Sequence, residues 1–162
     1  MTSSTEEMRG ELGELCGKIR RRVQFMEVCG THTVSAFRSG LRSMLPANLR
    51  LVSGPGCPVC VTAQRHIDAA IELAARHDVV IATYGDMVRV PGRRGSLELL
   101  RAEGARIRVV NSALHALRIA KEAAGVQVVF LGVGFETTAP ATAATVLEAQ
   151  REHVENFSVL MC

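Results

Sequence analysis

The chain has 162 residues, 48% of them apolar, with 19 Lys and Arg against 16 Asp and Glu. That length accommodates one domain, or one domain and part of another, with enough apolar material for a core. A net charge of +3 scattered along the chain excludes the basic footprint of a nucleic-acid binder, and no apolar run approaches the roughly 18 residues of a membrane span.

With no Trp, one Tyr and five Phe, the core must be built from Val, Leu, Ile and Ala. Residues 1–24 are charged and lack the apolar stretch of a secretory leader, so the expectation is a cytoplasmic protein. In that setting the five cysteines (16, 29, 57, 60 and 162) read as thiols, metal ligands or redox groups, not as a disulfide framework.

Residues 5–22 read as a helix with Met8, Leu12, Leu15 and Ile19 on one stripe and Cys16 packed beside it. Lys18, Arg20, Arg21 and Arg22 gather at its C-terminal end, where cations suit the helix dipole; a solvated face is the simpler reading of this cluster, a phosphate site the other. Val23–Val28 is a short strand running into Cys29-Gly30-Thr31-His32-Thr33, and Val34–Leu45 is a helix ended by Pro46. Leu49–Val52 is a second strand, and it enters the loop Gly54-Pro55-Gly56-Cys57-Pro58-Val59-Cys60. There two prolines oppose helix and two glycines admit backbone angles closed to other residues.

Thr62–Arg76 is a helix with Ile67, Ala70, Ile71 and Ala74 on one face, and Val79–Thr83 is a continuous apolar strand of the buried kind. Tyr84–Gly95 is a loop. Ser96 caps a helix to Glu103 that Gly104 stops, Ile107–Val110 is a strand, and Ser112 caps a helix to Ala124 that Gly125 stops. Val126–Val133 is a strand, Gly134–Pro140 a loop, Ala141–His153 a helix and Phe157–Met161 a last strand.

Repeated βα units with short connections specify an α/β fold with a largely parallel sheet flanked by helices. The expected division is an N-terminal helix over 1–22, a first α/β domain over 23–125 carrying the thiol motifs, and the start of a second over 126–162, apparently truncated. In such sheets functional loops gather at the carboxyl ends of the strands. That places Cys29-Gly30-Thr31-His32, the 54–60 loop, Tyr84-Gly85-Asp86 and Gly134-Phe135-Glu136-Thr137-Thr138 along one edge.

Cys57 and Cys60 have three possible uses: a disulfide, a redox dithiol, or two thiolates on a metal. The helix expected after Cys60 would favour a thiolate through its free N–H groups. Cys29 and His32 could complete a four-ligand zinc set with the pair, and a thiolate beside an imidazole suits iron, copper or zinc over magnesium or calcium. A Cys–His nucleophile lacks an orienting Asn or Asp beside it. Gly132-Val133-Gly134-Phe135-Glu136-Thr137 is half of a dinucleotide fingerprint without its third glycine, and no phosphate-binding Gly-Lys-Ser/Thr is present. Thr137 or Thr138 caps the following helix, with Pro140 in its first turn; Glu136 either caps or projects into the site.

Four stretches in order, Phe25–Thr33, Gly54–Cys60, Tyr84–Gly92 and Gly134–Pro140, resemble the N-terminal part of the HypD family of hydrogenase maturation factors over about residues 22–160. The resemblance implies a scaffold, not an enzyme, on which the Fe(CN)2CO unit of nickel–iron hydrogenases is assembled. Its partners would be a HypC-type chaperone, the HypE/HypF pair that delivers cyanide, and indirectly the hydrogenase large subunit. It implies Cys29 as iron ligand, with Gly30 and Thr31 beside it, and Cys57 and Cys60 as a redox-active pair. His32, Glu136, Thr137 and Thr138 would line the same cleft. Family members are about twice this length and carry 4Fe–4S cysteines in a C-terminal part that these residues do not include. The alternatives are a stand-alone thiol–disulfide oxidoreductase and a structural zinc module.

Overall fold

The computed structural model describes Thr2–Cys162, with side chains from Glu6 onward; Met1, the first residue of the expected 1–22 helix, lies outside the described residues. The chain forms an α/β fold in two compact units, the first ending at Cys60 and the second running from Val61 to Cys162.

In the first unit, helix α1 (Thr2–Gly17) precedes strand β1 (Val23–Glu27), helices α2 (Gly30–Arg38) and α3 (Leu41–Met44), and strand β2 (Leu49–Ser53). Cys16 is buried in α1 as expected, but Met8 and Leu15 of the expected stripe are exposed and Ile19 lies beyond the helix, which ends at Gly17. Helix α3 ends where expected: Leu45 precedes Pro46 and is extended (φ −78°, ψ 140°), the conformation a following proline ring imposes. β1 and β2 pair in parallel, in register from Val23 opposite Leu49 to Glu27 opposite Ser53. Their carboxyl ends therefore finish side by side.

α4 (Pro58–Val61) is a single turn that spans the boundary between Cys60 and Val61. The second unit contains α5 (Gln64–Ala74), β3 (Val79–Thr83), α6 (Gly85–Val88), α7 (Leu97–Ala102), β4 (Ile107–Val109), α8 (Ala113–Glu122), β5 (Gln127–Gly132), α9 (Ala139–Arg151) and β6 (Phe157–Met161). Its parallel sheet has the order β4-β3-β5-β6. The chain steps one way from β3 to β4 and the other way from β4 to β5 and β6. Right-handed crossovers then put α8 and α9 on one face and α7 on the other, and α8 packs on α9 while α7 packs on α5.

Ala113, Ala116 and Ala120 of α8 lie against Val80, Ala82, Val128 and Phe130. Small helix residues let the helix sit close to branched strand residues, and the ring of Tyr84 meets Phe130 edge-on at 5.7 Å. Ser96 and Ser112 are caps as expected: their hydroxyl oxygens accept from the N–H groups of Leu99 and His115 at 3.3 and 3.2 Å.

Two expectations are corrected. The break at 125/126 does not exist, because β5 pairs with β3 and β6 with β5, making 126–162 half of the same sheet. Nor is there one sheet edge for all four loops: β1 and β2 form a sheet of their own. Several helix limits also move. The helix expected over Val34–Leu45 starts already at Gly30 and is broken after Arg38 into α2 and α3, the one expected over Thr62–Arg76 is the shorter α5, the expected 54–60 loop runs into the one-turn α4, and the 84–95 loop contains the one-turn α6.

Asn156 ties the sheet to the end of α8. Its amide donates to the carbonyls of Ala120, Ala123 and Val126 at 2.9, 3.0 and 3.0 Å, closing the otherwise open C-terminus of that helix. Asn156→Ala removes this shared donor, leaving the Ala120 carbonyl only the Ala123 N–H at 3.3 Å, and is expected to destabilise the second unit by about 1–3 kcal/mol, read as a lower urea midpoint with unchanged slope.

Candidate functional site

Two local geometries build the site. At the end of β1, Cys29 is extended (φ −125°, ψ 129°) and occupies the position before α2, with its carbonyl accepting from the Thr33 N–H at 3.1 Å. At the end of β2, the Gly54 N–H donates to the Glu27 carbonyl at 2.8 Å, carrying the parallel pairing one residue past the strand. A methyl at Gly54 would lie 2.7 Å from that same carbonyl oxygen, so only glycine permits this approach. The loop then turns Cys57 and Cys60 toward Cys29. The three sulfurs all lie within 4.8 Å of one another.

Cys57 stands just ahead of α4 and serves as its cap: its sulfur accepts the Cys60 N–H at 3.3 Å. The two sulfurs of the pair are 3.0 Å apart. Their protons are held unequally. The Cys57 thiol donates to the Cys60 sulfur and the Gly30 N–H also points there, which lowers Cys60 to about 7; the same hydrogen bond to Cys60 raises Cys57. Of the two, the exposed Cys60 is the thiol that gives up its proton more readily. The expected cause was the helix following Cys60. Instead Cys60 lies inside α4, and the backbone donor comes from the first turn of α2, on the other strand's connection.

The other expected residues divide. Gly30, Thr31 and His32 form the first turn of α2, with Thr31 and His32 exposed. His32 does not join the three thiols among the described residues, so the four-ligand zinc set is not assembled. Glu136, Thr137 and Thr138 are exposed in the second unit, between β5 and α9. Thr138 stands before α9, yet its hydroxyl donates backward to the Phe135 carbonyl at 2.9 Å and does not cap the helix. Gly134 makes that turn possible, since a Cβ there would fall 1.8 Å from the Thr138 hydroxyl oxygen. This loop and Tyr84-Gly85-Asp86 follow β5 and β3, the two strands between which the sheet order reverses, where open α/β sheets form their crevice.

Cys16 and Cys162 are not among the three grouped sulfurs; burial pushes the Cys162 thiol up to about 11. Sequence reasoning gave no role to Glu27. Its carboxylate oxygens are buried without a hydrogen bond, and the Arg42 guanidinium lies 3.9 Å away while donating to Ser53 at 3.0 Å. Arg42 thereby links α3 to the ends of both strands just below the thiols. An acidic residue closing an apolar strand was the only signal available.

The thiolate is the reactive form of cysteine, so alkylation of Cys60 is expected to accelerate through a midpoint near pH 7. Cys57→Ala removes the principal donor, and the midpoint should rise toward the ordinary thiol range near 8.5. Iodoacetamide labelling at several pH values, read by peptide mass, checks both.

Residues 4–162 match the family model HypD, described as the hydrogenase formation hypA family. The chain is 50% identical over 141 residues to the hydrogenase maturation factor HypD2 of Bradyrhizobium diazoefficiens, covering 86% of this chain and 37% of that protein. It is 44% identical over 152 residues to the hydrogenase maturation factor HypD of Escherichia coli K12, covering 94% and 41%. Against the hydrogenase maturation factor HypD of Azotobacter vinelandii it is 50% identical over 141 residues, covering 86% and 37%. The chain thus spans about two-fifths of the length of the curated relatives it matches. With the match running through both units and all four motifs, the chain belongs to the HypD family of hydrogenase formation proteins.

Proposed function

We propose that this chain serves in hydrogenase maturation as a scaffold on which iron receives the cyanide and carbonyl ligands of the nickel–iron hydrogenase cofactor. The observation that carries the proposal is the group of three sulfurs from Cys29, Cys57 and Cys60 within 4.8 Å. Three soft donors and no carboxylate in the group fit iron in a low-spin, thiolate-bound form better than a hard cation. Iron is here the cargo being built upon.

The residues have distinct parts. Cys29, fixed by β1 and the start of α2, is the iron ligand. Cys57 and Cys60 are the dithiol. Closing their 3.0 Å contact to a disulfide releases two electrons and two protons, and Cys60 gives up its proton first. Gly30 leaves the approach to the Cys60 sulfur narrow but open, for a methyl there would touch that sulfur at 3.7 Å. Thr31 and His32 stand exposed on the same turn, available to a delivered ligand or a docking protein. Glu136, Thr137 and Thr138 stand exposed in the β5–α9 loop of the second unit. A HypC-type chaperone would supply a further iron ligand, the HypE/HypF pair the cyanide, and the hydrogenase large subunit would receive the product. A 4Fe–4S cluster held by the rest of a full-length protein would exchange electrons with the dithiol. Among the described residues no helix is long and apolar enough to cross a membrane, which accords with work in the cytoplasm.

A second reading has its own observation. The exposed Cys60 at about 7 is what a thiol–disulfide oxidoreductase needs for attack near neutral pH. The two readings separate at Cys29.

In the scaffold, Cys29→Ala is expected to weaken ferrous iron binding under anaerobic conditions at least about tenfold, the lower end of what even outer-shell changes cost a metal site. It should also abolish the infrared CN and CO bands after co-expression with a HypC-type partner and HypE/HypF. An oxidoreductase would keep its insulin-reducing activity in that variant and lose it in Cys60→Ala. Full iron binding by Cys29→Ala would overturn the scaffold assignment.

A further inference from the structure

The two edges of the second unit's sheet are built differently. β4, on one edge, is three residues long and flanked or occupied by the exposed Arg106 and Arg108. Short length and positive charge are the usual protection against unwanted strand addition. β6, on the other edge, is five residues, Phe-Ser-Val-Leu-Met, without a charge. An unprotected apolar edge of that length is a strand-pairing template.

Above β6 the surface is also unfinished. α9 and β6 frame an open groove of about 490 Å³ lined by Thr142, Ala143, Val146, Leu147, Val159 and Met161. Its one hydroxyl, on Thr142, is already donated to the Thr138 carbonyl, so the lining offers a partner almost only apolar surface. Leu147 is 65% exposed and Met161 53%. Val159 and Met161 pair with Phe130 and Gly132, which places them on the face of the sheet that carries α8 and α9.

The topology says what fits there. The steps from β4 to β5 and from β5 to β6 run in one direction with both helices on one face. One more right-handed step of the same kind lays a helix beside α9 on that face, over Val159 and Met161, and sets a parallel strand against β6. The curated relatives continue well beyond the matched stretch, which accounts for only 37–41% of their length.

We propose that the β6 edge and the α9–β6 groove are the docking face for the segment that follows this stretch in full-length HypD-family proteins. That segment seats an apolar helix along Val146 and Leu147 and adds a strand to β6. The inference rests on the fold and the family and is independent of the iron chemistry.

The test compares this 162-residue chain with the same chain extended by the downstream part of the Escherichia coli relative. Leu147→Cys and Val146→Cys place a thiol on an exposed helix face. Leu99→Cys, exposed on α7, serves as the reference and reports a folded chain when its rate is the same in both. Maleimide labelling is read by peptide mass, which separates these sites from the native thiols. In the extended chain, labelling at positions 146 and 147 is expected to slow at least about tenfold, with a comparable slowing of hydrogen exchange at the β6 amides. Equal labelling in both chains overturns the proposal. So does protection in the unextended chain that grows with its own concentration, because a second copy would then be the occupant.

Discussion

The thiol site depends on the in-register parallel pairing of β1 with β2, extended by the hydrogen bond from the Gly54 N–H to the Glu27 carbonyl. Cys29 lies far from Cys57 and Cys60 along the chain, and parallel strands cannot be joined by a tight turn. α2 and α3 supply the connection. Once the strands are paired without stagger, both chain ends emerge at one place. A slip of one residue would turn the strand faces over and separate Cys29 from the pair. The site is therefore as well defined as the register, and the register is sealed where a side chain on residue 54 would have prevented contact.

Unequal proton affinity within the dithiol follows from that arrangement. Gly30 reaches the Cys60 sulfur because α2 begins at once after Cys29, and α2 begins there because β1 has just ended. Metal binding requires thiolates, and each bound thiol must release its proton. A sulfur lowered to about 7 releases it with little cost at neutral pH. The same property makes Cys60 the attacking sulfur in exchange chemistry. A sulfur that is readily a thiolate suits the proposed iron scaffold and thiol exchange alike, and the position of Cys29 against the pair is what separates the two readings.

The strands of this chain were legible because their signal is composition alone. Val79–Thr83 and Phe157–Met161 have the same limits in sequence and structure, one buried throughout and the other half-covered. Helix starts were less legible. Gly30-Thr31-His32-Thr33 has no apolar stripe and contains poor helix formers, so the first turn of α2 looked like loop. Its formation is a tertiary outcome of the β1 terminus. Pro58 was weighed as a helix breaker, although a proline fits the first position of a turn such as α4. The partition into two sheets left no local trace, since each strand carries its own apolar pattern but not the identity of its neighbour. The expected boundary at 125/126 falls where the chain merely turns from α8 into β5. The thiols were legible as types and spacings. Their mutual proximity, the Gly30 donor and the buried Glu27 carboxylate needed the strand register to become visible.

Burial is divided unequally between the units, and the chemistry falls on the less buried one. Among the described residues of the first unit only Cys16, Ala36 and Leu49 are buried apolar groups, whereas those of the second run from Ile67 to Ala149. Parallel strands are ordinarily covered on both faces, yet Phe25 and Met26, which alternate across β1, are each more than half exposed, and Phe37 on α2 is exposed as well. Few buried contacts mean low local stability and easy opening. For a purely structural metal site that would be a defect, since such sites are closed by four ligands and a packed surround. Under the proposed scaffold role, in which iron is admitted, modified and handed on, an incompletely covered sheet with one sulfur facing solvent allows the passage that a sealed core would prevent.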